Sequence, residues 1–174
     1  MKKFLVVALG MLVLAGCSNT QGTGPISGID RHSGSKTIII QPHGTDCESM
    51  QCIALGAFWT ESEKDYALLT VSLMNTSDFI RSAHLEIDGV KYPLRDDGDL
   101  TRYDRPLNNV SLYVESKKDY IIPLDIVKKI TTAKKAWIFV QTGSGYMSNA
   151  IIDAQGDSKA YYALQRFLTA LPKS

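Results

Sequence analysis

The chain has 174 residues, with 19 Lys and Arg against 18 Asp and Glu and a formal net charge of +1. That balance excludes the clustered basic surface that nucleic acid requires, so no nucleic-acid partner is expected, and it excludes a purely electrostatic hold on a membrane. The length suits one domain of ordinary size with a core of its own.

At the N-terminus, Lys2 and Lys3 precede an apolar run from Phe4 to Leu14, 11 residues long. The run is too short for a transmembrane helix and right for a signal peptide. Leu14-Ala15-Gly16-Cys17 closes it. This start resembles that of bacterial lipoproteins, and the resemblance covers about the first 20 residues. It implies that residues 1–16 are a signal peptide cut before Cys17, and that Cys17 carries lipid. Several acyl chains anchor firmly where a single one holds weakly. Ser18 stands where Asp would typically retain such a protein in the inner membrane of Gram-negative enteric bacteria, so the resemblance implies the outer membrane, with the domain in the periplasm. Loss of Lys2 and Lys3 leaves 17 basic against 18 acidic side chains, so membrane attachment is expected to come from the lipid.

From Ser18 to Lys36 the chain is rich in Gly, Ser, Thr, Asn and Gln, with Ile26 and Ile29 isolated. Residues 17–36 therefore read as a lipidated N-terminus and flexible tether, spanning roughly 24 Å as a coil. A domain is expected over residues 37–174. Its first strand is the β-branched run Thr37 to Ile40, stopped by Pro42 and Gly44. Cys47 and Cys52 are the only thiols besides Cys17. An even pair in an exported protein reads as a disulfide, worth on the order of 2 kcal/mol for so short a loop.

Ile53 to Thr60 and Tyr66 to Met74 read as strands. In the second, Leu69, Val71 and Leu73 share one face, with Thr70 and Ser72 on a wet one. Asp88-Gly89 marks a two-residue hairpin in which Ile87 faces Val90, Leu85 faces Tyr92 and Ala83 faces Leu94 on the buried side, while Glu86 pairs with Lys91 outside. Arg95 to Asn109 reads as polar and irregular. Strands follow at Val110 to Val114 and near Tyr120 to Ile122, then a short helix from Leu124 to Thr131 with Ile126, Val127 and Ile130 on one stripe. Ala136 to Thr142 and Tyr146 to Ile152 form a hairpin across Gly143-Ser144-Gly145. A final amphipathic helix carries Ala160, Tyr161, Leu164, Phe167, Leu168 and Leu171, capped by Asp157 or Ser158. The fold class that results is α+β: an antiparallel sheet, or a sandwich-like sheet of hairpins, with a short helix and a C-terminal amphipathic helix.

Chemistry-bearing residues are sparse. The histidines are His32 in the tether, His84 on the outward hairpin face, and His43 beside the cysteine loop; a catalytic site on His43 would need Ser49 or another serine beside it. Asp96-Asp97-Gly98-Asp99 and Asp104 concentrate carboxylates, but not in EF-hand order, and Arg95, Arg102 and Arg105 interleave them. A solvated, ion-paired loop is the ordinary reading. Gly143-Ser144-Gly145 precedes a strand rather than a helix and reads as a turn, not a phosphate loop. The large aromatics Trp59, Trp137, Tyr161, Tyr162 and Phe167 read as core, with Tyr162 and Tyr146 the more exposed.

No catalytic residue, metal site or cofactor is expected. Arg102, Tyr103 and Arg105 are the candidate binding residues, because these residue types are enriched at interface hot spots and loops held by a sheet often carry function. The function expected is that of a lipid-anchored, non-enzymatic binding or structural module for an envelope protein or for peptidoglycan. An envelope hydrolase with a carboxylate- or His-based site, or a small-ligand or metal binder, is the alternative. The order of Asp-Gly hairpin, late paired strands and final helix also resembles invasion-associated locus B-like exported proteins; the cysteines are placed differently, and no residue role is carried over.

Overall fold

Alternating side chains make the strands of this protein, and the register between them makes its surfaces. The computed structural model describes residues 22–47, 49–104 and 114–172. Cys17 and Arg105 therefore lie outside the described residues, as does all but the last residue of the strand expected at Val110 to Val114. The elements are β1 (Ile26–Ile29), β2 (Lys36–Gly44), β3 (Cys52–Thr60), a 3-10 turn (Glu61–Glu63), β4 (Tyr66–Met74), β5 (Ile80–Ile87), β6 (Val90–Pro93), β7 (Arg95–Asp96), β8 (Arg102–Asp104), β9 (Glu115–Pro123), α1 (Leu124–Thr132), β10 (Ala136–Thr142), β11 (Tyr146–Asp153), β12 (Gly156–Asp157) and α2 (Lys159–Ala170). The class is α+β, mainly β and antiparallel, with two short helices, one of them C-terminal. Among the described residues no helix is long and apolar enough to cross a membrane.

Seven strands form one sheet in the order β1-β2-β3-β4-β9-β7, with β8 also paired to β9; five form a second in the order β12-β11-β10-β5-β6. One buried cluster takes Ile38, Leu55, Leu69, Val71 and Tyr120 from the first sheet, Leu85, Ile138 and Val140 from the second, Val127 and Ile130 from α1, and Leu164 and Phe167 from α2. Leu69, Val71 and Leu73 are buried on one face of β4. α2 begins at Ser158, whose hydroxyl accepts from the Tyr161 amide at 3.2 Å and donates to the Ile151 carbonyl at 2.6 Å, tying the cap to β11.

The Asp-Gly hairpin has the expected register, with Ile87 opposite Val90, Leu85 opposite Tyr92 and Glu86 opposite Lys91. Asp88 and Gly89 both have positive φ, 48° and 82°, as a type I′ turn requires. The Asp88 carboxylate also accepts from the amides of Lys134 and Lys135 at 3.1 and 2.9 Å, fastening the tip to the connection between α1 and β10. Cys47 and Cys52 are joined in a disulfide with Cα atoms 5.4 Å apart.

Several expectations need correcting. Residues 26–36 are not tether: β1 pairs with β2, Ile26 opposite Ile39, and upstream the Thr23 carbonyl accepts from Arg166 of α2 at 3.1 Å. Arg95 to Asn109 is not wholly irregular, because β7 and β8 both add to β9. The strand expected near Tyr120 begins at Glu115, its polar half held by side-chain bonds rather than by apolar burial. Finally, Ser72 is fully buried instead of wet.

Candidate binding surface

The outer face of the seven-stranded sheet, opposite the core, is divided into two chemistries by register. Ile26 pairs with Ile39, Ile39 with Phe58, Phe58 with Leu68, Leu68 with Ile121, and Ile121 with Arg95. Five large apolar side chains thus stand in one cross-strand row over β1, β2, β3, β4 and β9, and the row ends on a cation. Directly opposed Cβ atoms lie about 4.5–5.5 Å apart, so the row is continuous. Ile26 is 58% exposed and the four side chains inward of it are half-buried. Beside it, Tyr66 pairs with Pro123 and is itself exposed. Phe58, Leu68, Ile121, Tyr66 and Thr60 line a groove of about 460 Å³ with Arg95 and Glu63 at its margin. The Arg95 guanidinium makes no hydrogen bond or ion pair with any described residue.

Two residues further along the strands the same face is polar and fully partnered. Thr70 donates to Asp119 at 2.7 Å, and Arg102 donates to the other oxygen of that carboxylate at 2.7 Å. Lys117 bridges Asp104 and Glu115, both at 2.9 Å, and Ser72 donates to Glu115. The hydrogen bond to Asp119 raises the Arg102 pKa against the opposing effect of burial. Burial pulls Lys117 down, but its bonds to Asp104 and Glu115 outweigh that and raise it. On the strands' other side, Lys118 binds Asp96 at 2.5 Å and holds that carboxyl below its usual range. The buried Tyr120 hydroxyl, which has no hydrogen-bond partner among the described residues, is pushed above its ordinary pKa chiefly by desolvation.

The candidate binding residues meet different ends. Arg102 is engaged with Asp119 and, at 3.9 Å, with Asp99, so it clamps β8 onto β9. Tyr103 pairs opposite Ser116, faces away from Arg102 along β8 and is 48% exposed. Asp96, Asp99 and Asp104 each face a cation, as the ion-paired reading expects. Among the described residues, no group of three or more His, Cys, Asp or Glu side chains is placed to hold a metal ion.

The histidines are equally committed. His43 is buried, with Nδ1 at 2.6 Å from the Gln41 carbonyl and Nε2 at 3.4 Å from the Thr23 hydroxyl, while Ser49 donates to the Gln51 carbonyl at 2.7 Å. No hydrogen bond joins His43 to Ser49. His84 is half-buried rather than exposed, because it stacks on Phe139 of the neighbouring strand at 4.8 Å between ring centroids. Burial, then the nearby Lys91, lowers its pKa. Gly143-Ser144-Gly145 is a hairpin turn, fastened by Asp78, which accepts from the Ser144 and Gly143 amides and the Ser144 hydroxyl. Of the aromatics read as core, Trp59 and Phe167 are buried, whereas Trp137, Tyr161 and Tyr162 are half-buried.

The aliphatic row is the feature that strand-by-strand reading misses. Its signal is present in Ile38-Ile39-Ile40 and in Ala57-Phe58-Trp59, where consecutive apolar residues make both faces of a strand apolar. No protein-family model, no curated protein and no solved structure matches the chain.

Proposed function

We propose that this chain is a lipid-anchored protein of the outer membrane that acts without catalysis, as a binding module for another envelope protein, and that the aliphatic row is where this partner seats. The observation that carries the reading is the row itself, five apolar side chains in register ending on Arg95, whose guanidinium has no partner among the described residues. Protein interfaces share this anatomy, an apolar centre with a polar rim in which Arg and Tyr are enriched. Tyr66, Glu63 and Arg95 supply the rim.

The N-terminal leader supports the envelope part of the reading. Cys17 and Ile26 are nine positions apart, a distance that a fully extended chain spans in at most about 32 Å. A lipidated Cys17 would therefore hold the Ile26 end of the row close to the bilayer, where a membrane-embedded or membrane-proximal partner is found. The engagement of His43, Asp96, Asp99 and Asp104 in intrachain bonds favours binding over hydrolysis.

The test is in-cell photo-crosslinking from Phe58 and Ile121 in the lipidated protein. One abundant envelope-protein adduct is expected, lost in Leu68→Glu and retained in Arg102→Ala. Adducts from Tyr103 but none from Phe58 or Ile121 would move the site to β8 and sink the row. For the anchor, Cys17→Ser is expected to abolish lipid labelling and release the protein from membranes; unchanged labelling would overturn it.

A further inference from the structure

The other sheet carries a second, chemically distinct cleft beside the disulfide. It encloses about 290 Å³ and is lined by Asp46, Trp137, Ser148, Asn149, Asp153 and Gln155. Its walls are fixed by the fold. Asp46 forms a bridge to Ala150 of β11, its amide donating at 2.8 Å to the Ala150 carbonyl. Asn149 donates to the Asp46 carbonyl at 2.9 Å and accepts from the Ile53 amide at 3.3 Å, and the Cys47–Cys52 disulfide closes the loop that follows Asp46. Asn149 is thus structural, and the side chains left to meet a ligand are the other five.

Those five form a mixed set. The Asp46 carboxylate, the Ser148 hydroxyl and the Gln155 side-chain amide make no hydrogen bond with any described residue, and Asp153 uses one oxygen to accept from the Gln155 backbone amide at 2.8 Å. Trp137 adds a half-buried indole whose N–H is covered and has no partner among the described residues. That N–H is out of a ligand's reach, so what Trp137 offers the cleft is the exposed part of its indole ring.

We infer that this cleft binds a single uncharged sugar ring, held by Asp46, Asp153, Ser148 and Gln155 against Trp137. An aromatic surface with a few convergent donors and acceptors is what a polyhydroxylated ring needs, because its hydroxyls both give and accept hydrogen bonds while its C–H faces are apolar. Two carboxylates and no lining cation disfavour an anionic ligand. A cationic one is disfavoured because the Lys135 ammonium already lies over the indole, 5.4 Å from its ring centroid. The volume, at the lower edge of the range for small-molecule sites, suits one ring better than a longer segment. The inference stands apart from the aliphatic row, which lies on the other sheet.

The experiment is titration of the full chain, purified in detergent, with N,N′,N″-triacetylchitotriose and with maltotriose, read by calorimetry and by the tryptophan indole N–H resonances. Saturable binding of either sugar is expected, with the Trp137 N–H signal moving and the Trp59 signal still. Asp46→Ala and Gln155→Ala should each weaken binding at least tenfold without shifting thermal unfolding, and Trp137→Ala, which removes the ring, should weaken it similarly. No binding of either sugar at millimolar concentration by a folded protein would overturn the inference. So would binding that survives both Asp46→Ala and Gln155→Ala, since those two exposed-wall variants test the site even if Trp137→Ala fails to fold.

Discussion

The outer faces of the two sheets obey the same alternation rule and arrive at different surfaces. On the seven-stranded sheet, register sorts side chains into an aliphatic row and, one step along the strands, a network in which Thr70, Asp119, Arg102, Lys117, Glu115 and Ser72 satisfy one another. On the five-stranded sheet the outward positions alternate aromatic and polar residues, His84 opposite Phe139, Glu86 opposite Trp137, and Ser82 opposite Gln141. The first face therefore offers an apolar stripe, and the second offers neighbouring rings among hydrogen-bonding groups. The difference teaches that a sheet surface is written across strands, by which residues are brought opposite, and not along any one of them.

The sharpest way to separate a core face from a binding face is to truncate neighbours on β4. Leu69→Ala removes a fully buried side chain and is expected to cost about 2–5 kcal/mol in denaturant unfolding. Leu68→Ala, one residue away in the aliphatic row, is expected to cost less than about 1.5 kcal/mol because the site is already partly solvated, yet to reduce partner crosslinking from Phe58. Equal losses of stability would show that the row is covered and not a docking face.

The boundary between row and network is tested at Gly56, which pairs with Thr70. A Cβ there would meet the Ile40 carbonyl oxygen at 2.7 Å and the Pro42 nitrogen at 2.9 Å, both backbone atoms at the register shift in β2. Gly56→Ala should therefore destabilise by about 1–3 kcal/mol. A neutral or stabilised variant would mean that β2 can yield, and that the bulge does not fix the alignment of Ile39 with Phe58.

The smallest effect belongs to the five-stranded face. His84 is held below its ordinary pKa by burial, so the unfolded chain takes up a proton at a higher pH than the folded one does. Stability conferred by neutral His84 is then complete above an unfolded pKa of about 6.5 and declines as pH falls from there toward the folded value. His84→Gln should flatten that part of the unfolding profile, whereas an unchanged slope would assign it to other groups.

Elements with strong local signals were legible from the chain alone. Asp88-Gly89 sets its own turn, the β4 alternation sets its core face, and Ser158 caps a helix whose apolar stripe is complete in sequence. Elements that exist only because of a distant partner were not. β1, β7 and β8 are two to four residues long and predominantly exposed, so neither propensity nor burial marks them; each is defined by the strand it joins. The Glu115-Ser-Lys-Lys-Asp half of β9 looks solvated until Ser72, Asp104 and Arg102 are placed around it. The candidate site divides in the same way. Arg102 and Tyr103 stand out by residue type, but side-chain geometry commits Arg102 to Asp119, while the row needs five registers that no single segment contains.

β1 also has a mechanical meaning. All four of its residues are exposed, and it meets β2 as an antiparallel hairpin whose open end is at Ile26. In a chain held at Cys17, tension would first load the Thr23 bonds to Arg166 and His43 and, past them, strain the ladder pairs from that open end one after another, as a zipper is drawn, rather than shearing them together. Peeling β1 from β2 would then free the ten residues from Ile26 to Ser35, a segment about 35 Å long at full extension, while Ile39, Phe58, Leu68 and Ile121 keep their alignment on the strands that remain.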